Sequence, residues 1–222
     1  MKINLFLIRH ASSEINEMDL LHWSIITDPN ITEKGKEQCQ ELKHYLQQNQ
    51  SIVENAKLYA SILCRTQETA LLSIPRKVIV VSNHLKEHAN FLQKLNIKKF
   101  SNFPKKNTKE QREKIKQVVG SISLNRIQYE KDLLDKNKNY KAKVFHQEGN
   151  LKTFLEENKD SFQEGDTIII FCHGKLVRQF LKRKEKAKNC TLFHVFHQKK
   201  QFDLEKLEMN PNFKILFEPT LF

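Results

Sequence analysis

The chain has 222 residues, a formal net charge of +12, and 39% hydrophobic against 29% charged residues. That length can bury one sizeable core and gives no cause to invoke a second domain; no run of eighteen apolar residues is present to cross a membrane as a helix. The four cysteines (Cys39, Cys64, Cys172, Cys190) are scattered without a C-x-x-C pair, which argues against a zinc site or a disulfide framework and for a reducing, cytoplasmic compartment.

The excess charge is local. Residues 86–143 carry sixteen basic against six acidic groups and residues 175–200 nine against one, whereas residues 1–85 balance nine against nine. Such Lys-rich segments can set a positive field around an anion site, keep surface helices solvated, or dock an anionic protein partner. Nucleic acid ranks last as a partner, because no aromatic-basic motif or nucleic-acid fold signature accompanies the lysines.

Met1-Lys2 leads straight into a strand-like run and does not read as a signal peptide. Leu5-Phe6-Leu7-Ile8 is a continuous apolar run, which predicts a strand over 3–8 buried on both faces. It stops at Arg9-His10, at the carboxyl end where open α/β sheets hold ligands. A guanidinium beside an imidazole there suits an oxyanion clamp next to a nucleophile; it is equally how a strand can simply end. Residues 11–30 read as an irregular loop. Thr32 is a good N-cap for a helix reaching about Gln48, with Gly35 at N3 and Leu42, Tyr45 and Leu46 on its inner face. A short strand at 57–60 precedes a helix from Arg65 to about Ser73, stopped by Pro75, and Lys77–Val81 reads as a third parallel strand.

Beyond residue 88 the pattern is harder to read. Thr108–Val119 predicts a helix with Gly120 near its end, and Leu124–Lys138 a second. Gly149–Phe162 fits a helix with Leu151, Phe154, Leu155 and Phe162 as its apolar stripe. A Gly165-Asp166 turn opens a fourth aliphatic strand at 167–172, followed by His173-Gly174 and a helix from Lys175 to about Lys184. Cys190–His197 and Phe202–Glu208 read as two strands joined by a tight basic turn, with an extended tail from Pro211. The alternation predicts one α/β domain over 1–222: a three-layer sandwich with a mostly parallel central sheet flanked by helices. A basic, helical, variable insertion falls at about 88–143.

Four motifs stand in order along the chain: Arg9-His10-Ala11; Ile31-Thr32-Glu33-Lys34-Gly35; the segment from Ser61 through Leu63, Arg65 and Thr69 to Ala70; and His173-Gly174. In this arrangement the sequence resembles the histidine phosphatase superfamily, whose pattern is R-H-G, L-T-x-x-G, S-x-L-x-R-x-x-Q-T-A, and later H-G after a strand. The resemblance implies a phosphomonoester hydrolase that needs no metal or other cofactor and acts on a phosphorylated small molecule or phosphoprotein. His10 would be the nucleophile, forming a phosphohistidine, with its other ring nitrogen fixed by a backbone carbonyl. Arg9 and Arg65 would clamp the phosphoryl oxygens. His173 would donate from the opposite side and, as a cation, polarise the phosphate, while Gly174 would permit close backbone approach. Ser13 and Asn16 occupy positions where relatives carry a hydroxyl and an amide that hold phosphate or substrate. Glu87, after the third strand, would be the general acid, with His88 as a conceivable substitute.

Departures from the pattern matter too. Ala11 replaces the usual glycine, Ile62 stands where proline is usual, and Cys64 where a second basic residue is common. No glycine follows Glu87 in Glu87-His88-Ala89-Asn90-Phe91, which argues against a mutase. The alternative from another class is a phosphatase-like structural or assembly subunit with little or no catalysis, docking a partner through its basic surfaces.

Overall fold

The apolar run at the start of the chain forms strand β1 (Lys2–Arg9), and its alternate residues enter two different cores. Ile3, Leu5 and Leu7 face one side, Phe6 and Ile8 the other, as a strand with period two buried on both faces requires. The computed structural model describes residues 1–17, 28–87, 108–129, 150–198 and 200–220. Within them follow α1 (Glu14–Glu17), α2 (Glu33–Gln48), β2 (Lys57–Ser61), α3 (Cys64–Ser73), β3 (Ile79–Ser82), α4 (Thr108–Val119), β4 (Ile127–Tyr129) and α5 (Leu151–Glu157). The chain continues with β5 (Thr167–Cys172), α6 (Gly174–Phe180), β6 (Leu192–Phe196), β7 (Phe202–Asp203) and β8 (Asn212–Phe217).

The sheet runs β4-β3-β2-β5-β1-β6-β8, with β7 paired to the start of β1. Strands β1 to β5 are parallel; β6 is antiparallel to β1, and β8 to β6. On one face α2, α3 and α4 contribute Leu42, Leu46, Ala70, Leu71 and Ile115 to a core with Phe6, Ile8, Val81 and Phe171. On the other, α5 and α6 contribute Phe154, Leu155, Leu176 and Val177 to a core with Leu5, Leu7, Ile170 and Phe193. This is the predicted three-layer α/β sandwich.

Where local expectation and structure differ, tertiary contacts decide. The loop after β1 includes a helical turn, α1. The expected helix from Leu124 is instead a 3-10 segment over Ser121–Arg126 leading into β4, whose Ile127 pairs with Ile79 at the sheet edge. The rest of that expected helix lies outside the described residues. Within the stretch read as an insertion, residues 108–129 thus supply a helix and an edge strand to the body of the fold. Arg126 in turn donates to Leu71 O at 3.0 Å and Ile74 O at 2.9 Å, satisfying carbonyls at the end of α3. The helix expected to reach Phe162 ends at Glu157, because Asn158 turns its amide back onto Phe154 O at 3.0 Å. Likewise α6 stops at Phe180, two residues before Lys182 takes a positive φ of 49°. The second of the two late strands shortens to β7, which pairs with β1 rather than extending a ladder on β6, and the tail after Pro211 forms β8. All four cysteines are free and buried, and among the described residues no helix is long and apolar enough to cross a membrane.

Candidate active site

Parallel strands that share a direction also share an end, and the carboxyl ends of β1, β2, β3 and β5 lie side by side. Each delivers one or two of the expected residues: Arg9 and His10 after β1, Arg65 in the first turn of the helix after β2, Glu87 after β3, His173 after β5. His10 N–H donates to Cys172 O at 3.0 Å, continuing the β1–β5 ladder one step and bringing the His10 and His173 rings to 5.2 Å between centroids.

The imidazole tautomers follow from their partners. His10 Nδ1 lies 2.7 Å from Ala11 O, which can only accept, so Nδ1 carries the proton and Nε2 keeps its lone pair. Burial, reinforced by Arg65 and Arg9, pushes the His10 imidazole well below its ordinary pKa, so the ring is neutral. Arg65 Nε donates to that Nε2 at 3.4 Å. His173 Nδ1 faces Arg65 Nη2 at 3.3 Å, and a guanidinium only donates; its Nε2–H therefore points to Ser61 Oγ at 2.9 Å. Burial and the same cations lower His173 as well, so the expected cationic His173 is in this structure a neutral acceptor.

Arg65 is the hub. Its Nη2 donates to Glu87 Oε2 at 2.8 Å, and the same carboxylate oxygen lies 3.8 Å from His173 Nδ1. Helix α3 begins at Cys64 with Leu63 in the cap position, where no side-chain cap forms. Asp28 supplies the missing acceptor from the other side of a loop: Oδ1 takes Cys64 N–H at 2.9 Å and Oδ2 takes Gln111 Nε2 at 2.8 Å, which also ties down α4. Without that carboxylate the first turn would hold a guanidinium against the positive end of the helix dipole.

Arg9 is 4% exposed, its Nη1 donates to Ala187 O, and its Nε has no hydrogen-bond partner among the described residues. Burial lowers its pKa to about 10, Glu87 raising it and Arg65 lowering it further. A buried donor left over in a ring of positive charge is the signature of a site that takes an anion. Gly174 serves this geometry by a route other than the expected one: a Cβ there would meet Arg9 Nε at 3.0 Å, so the glycine makes room for the guanidinium.

Ser13 and Asn16 bond to one another rather than to the histidine rings among the described residues. Ser13 is fully buried, bridges Ile31, and donates its hydroxyl to Asn16 Oδ1 at 2.9 Å, so that hydroxyl is committed to a neighbour. Asn16 is exposed. His88 lies outside the described residues. Several contributors carry no assignment in the sequence reading. Thr69 Oγ1 accepts Ala11 N–H at 3.0 Å and donates to Arg65 O at 2.6 Å, joining the histidine loop to α3. Ser61 and Thr69 both lie inside the third motif, which was the available signal; Asp28 and Ala187 had none.

His10, Glu87 and His173 offer ligand atoms within 4.8 Å of one another. Arg65 donates to the carboxylate, contacts both rings, and so places its positive charge among the three groups a metal would need. That arrangement suits an anion far better than a cation.

A model of the histidine phosphatase superfamily (branch 1) matches residues 5–129. No curated protein matches the chain. Among solved structures, a mutant phosphoserine phosphatase from Entamoeba histolytica in complex with phosphoserine is 17% identical, covers 96% of this chain and 96% of its own, and has a TM-score of 0.52. A putative alpha-ribazole-5'-P phosphatase from Escherichia coli is 15% identical over 98% of this chain and 97% of its own, with a TM-score of 0.53. At these identities the likeness is one of fold.

Proposed function

The chain belongs to the histidine phosphatase superfamily (branch 1), and on that premise we propose that it hydrolyses a phosphomonoester through a phosphohistidine on His10. The observation that carries this reading is the unprotonated Nε2 of a neutral His10, which accepts from Arg65 Nε, with Nδ1 held by Ala11 O and the Arg65 and Arg9 charges around the ring. An attacking nitrogen needs its lone pair, and the three equatorial phosphoryl oxygens need positive charge and donors that are already in place.

In the first half-reaction Nε2 bonds to phosphorus and the phosphorus–oxygen bond to the leaving group breaks. Arg9 and Arg65 hold the phosphoryl oxygens, and Asn16 adds a donor. Glu87, as the carboxylic acid, gives its proton to the departing alkoxide. In the second half-reaction Glu87 takes a proton from water as the water attacks phosphorus. The phosphorus–nitrogen bond breaks, inorganic phosphate leaves, and His10 returns to the neutral tautomer. No metal enters either step; the guanidinium of Arg65 holds the place and charge a metal would have.

The substrate class is a phosphorylated small molecule, in keeping with what two fold relatives are named for, phosphoserine and alpha-ribazole-5'-P. Hydrolysis is favoured over mutase transfer because the segment after Glu87 lacks the glycine typical of mutases. Incubation with labelled substrate and rapid quenching should trap an acid-labile phosphoryl group on His10, absent from His10→Ala. An acid-stable label, or one that survives the substitution, counts against the mechanism. A folded wild type with no turnover on any phosphomonoester favours the structural-subunit alternative.

A further inference from the structure

Asn189 lies in the loop between α6 and β6, in none of the motifs, and is tied to the loop after β1 from opposite ends of the chain. Its Nδ2 donates to His10 O at 3.0 Å and to Asn16 Oδ1 at 3.2 Å. Next to it, Cys190 takes a positive φ of 59° and directs its N–H at Arg9 O and His10 O, at 3.0 and 3.2 Å. The segment after α6 therefore grips the backbone of both residues that end β1.

The orientation of two side-chain amides follows from one backbone atom. His10 O is a carbonyl and can only accept, so the Asn189 atom facing it is the NH2 group. That group also faces Asn16, so the Asn16 atom opposite must be the oxygen. Ser13 N–H and Ser13 Oγ meet the same oxygen at 3.1 and 2.9 Å. With three donors converging on Oδ1, a flip of the Asn16 amide would set its own NH2 against all of them. Two of the three, a backbone N–H and the Asn189 NH2, cannot rotate into acceptors.

We propose that Asn189 is a positioning residue that acts through Asn16, fixing its amide so that Nδ2 is presented to the phosphoryl group. The proposal rests on the phosphate-binding reading of the site. Asn189 itself touches no reacting atom, and its effect should be on phosphate affinity rather than on the chemical step.

The test is a cycle of wild type, Asn189→Ala, Asn16→Ala and the double variant, read by calorimetric binding of inorganic phosphate and by KM and kcat on p-nitrophenyl phosphate. Loosening the hold on the Asn16 amide, which the Ser13 donors alone would then fix, should weaken phosphate binding and raise KM by about three- to tenfold in Asn189→Ala, with kcat within about threefold. In the Asn16→Ala background the further loss should be under about twofold. Losses that multiply in the double variant, or a fall in kcat at unchanged KM, would overturn the proposal and assign Asn189 to the His10 backbone alone. Should Asn189→Ala fail to fold, Asn189→Asp carries the same comparison, since its isosteric carboxylate repels Asn16 Oδ1 and should weaken binding at least as much. A wild type that binds phosphate without turnover sinks the hydrolase reading and leaves the binding cycle decisive; one that does not bind phosphate overturns both.

Discussion

Arg65 Nη2 and Glu87 Oε2 stand 2.8 Å apart, so the proposed phosphate clamp and the proposed general acid hold one another. A phosphoryl group taken up by Arg65 has to displace the carboxylate, which then leaves the cation and turns toward the leaving oxygen. Glu87→Gln should therefore bind inorganic phosphate more tightly while losing about a hundred- to ten-thousand-fold in kcat on alkyl phosphates. p-Nitrophenyl phosphate, whose phenolate departs without a proton, should lose less than about tenfold. Steady-state rates on both substrates check this; equal losses would make Glu87 a positioning residue.

Asp28 is the distant cap of α3, and its removal should be felt at Arg65. Asp28→Ala leaves Cys64 N–H without its acceptor in a buried setting and takes one of two acceptors from Gln111 Nε2, which keeps Ile62 O. Urea denaturation should show a loss of about 1–3 kcal/mol. Asp28→Asn keeps one acceptor for the helix N–H and should recover most of it. A loss under about 0.5 kcal/mol in the alanine variant would mean that water replaces the carboxylate.

Glu68 gives the stability a pH dependence of definite sign. Burial raises its carboxyl from the ordinary 4.5 to about 8, and Oε1 has no partner among the described residues, while Oε2 accepts Ile31 N–H at 2.8 Å. The folded state thus holds a proton that the unfolded state has already released. Stability from this group is complete below pH 4.5 and is lost as pH rises through about 8. The lowered His10 and His173 act in the opposite sense, losing stability as pH falls below their ordinary 6.5, so the alkaline side isolates Glu68. Glu68→Gln should flatten the melting temperature between about pH 7 and 8, above the range in which the histidines contribute. A wild-type profile already flat there would refute the shift.

Gly35 allows a backbone contact that no other residue permits. A Cβ at this position would stand 2.1 Å from Ser12 O, the carbonyl that accepts Thr32 N–H at 3.0 Å. Gly35→Ala must push α2 and the histidine loop apart, at about 1–3 kcal/mol by chemical denaturation. Phosphate affinity should fall with it, because Ser13 and Asn16 lie on the displaced loop. Unchanged stability and affinity would show that the loop shifts freely.

The parts of this molecule that were legible in the sequence are those governed by local rules. The aliphatic runs of β1 and β5 and the Thr32 cap of α2, whose Oγ1 accepts Gly35 N–H at 3.2 Å, follow from burial and capping within a few residues. His10, Arg65 and His173 were findable because each sits in a motif, and Glu87 because it follows the third strand; all four come to the carboxyl end of the parallel strands. What stayed hidden depends on partners far along the chain. β4 is a strand only because Ile79 and Val81 offer an edge, and Asp28 caps a helix to which it is not contiguous. Asn189 has its role through His10, and Gly174 through the girth of Arg9. No periodicity announces such pairings.

The insertion of β5 between β1 and β2 has a consequence for how the chain is made. The strands that carry the first and third motifs never pair: β2 has β3 beside it, but β1 and β2 join one sheet only when residues 167–172 lie between them. During synthesis the amino-terminal portion, Arg9, His10 and Arg65 included, has therefore no continuous sheet to close upon, and long-range pairing of this kind is intrinsically slow. The register that sets the candidate site is therefore complete only when the late strand stands between the early ones.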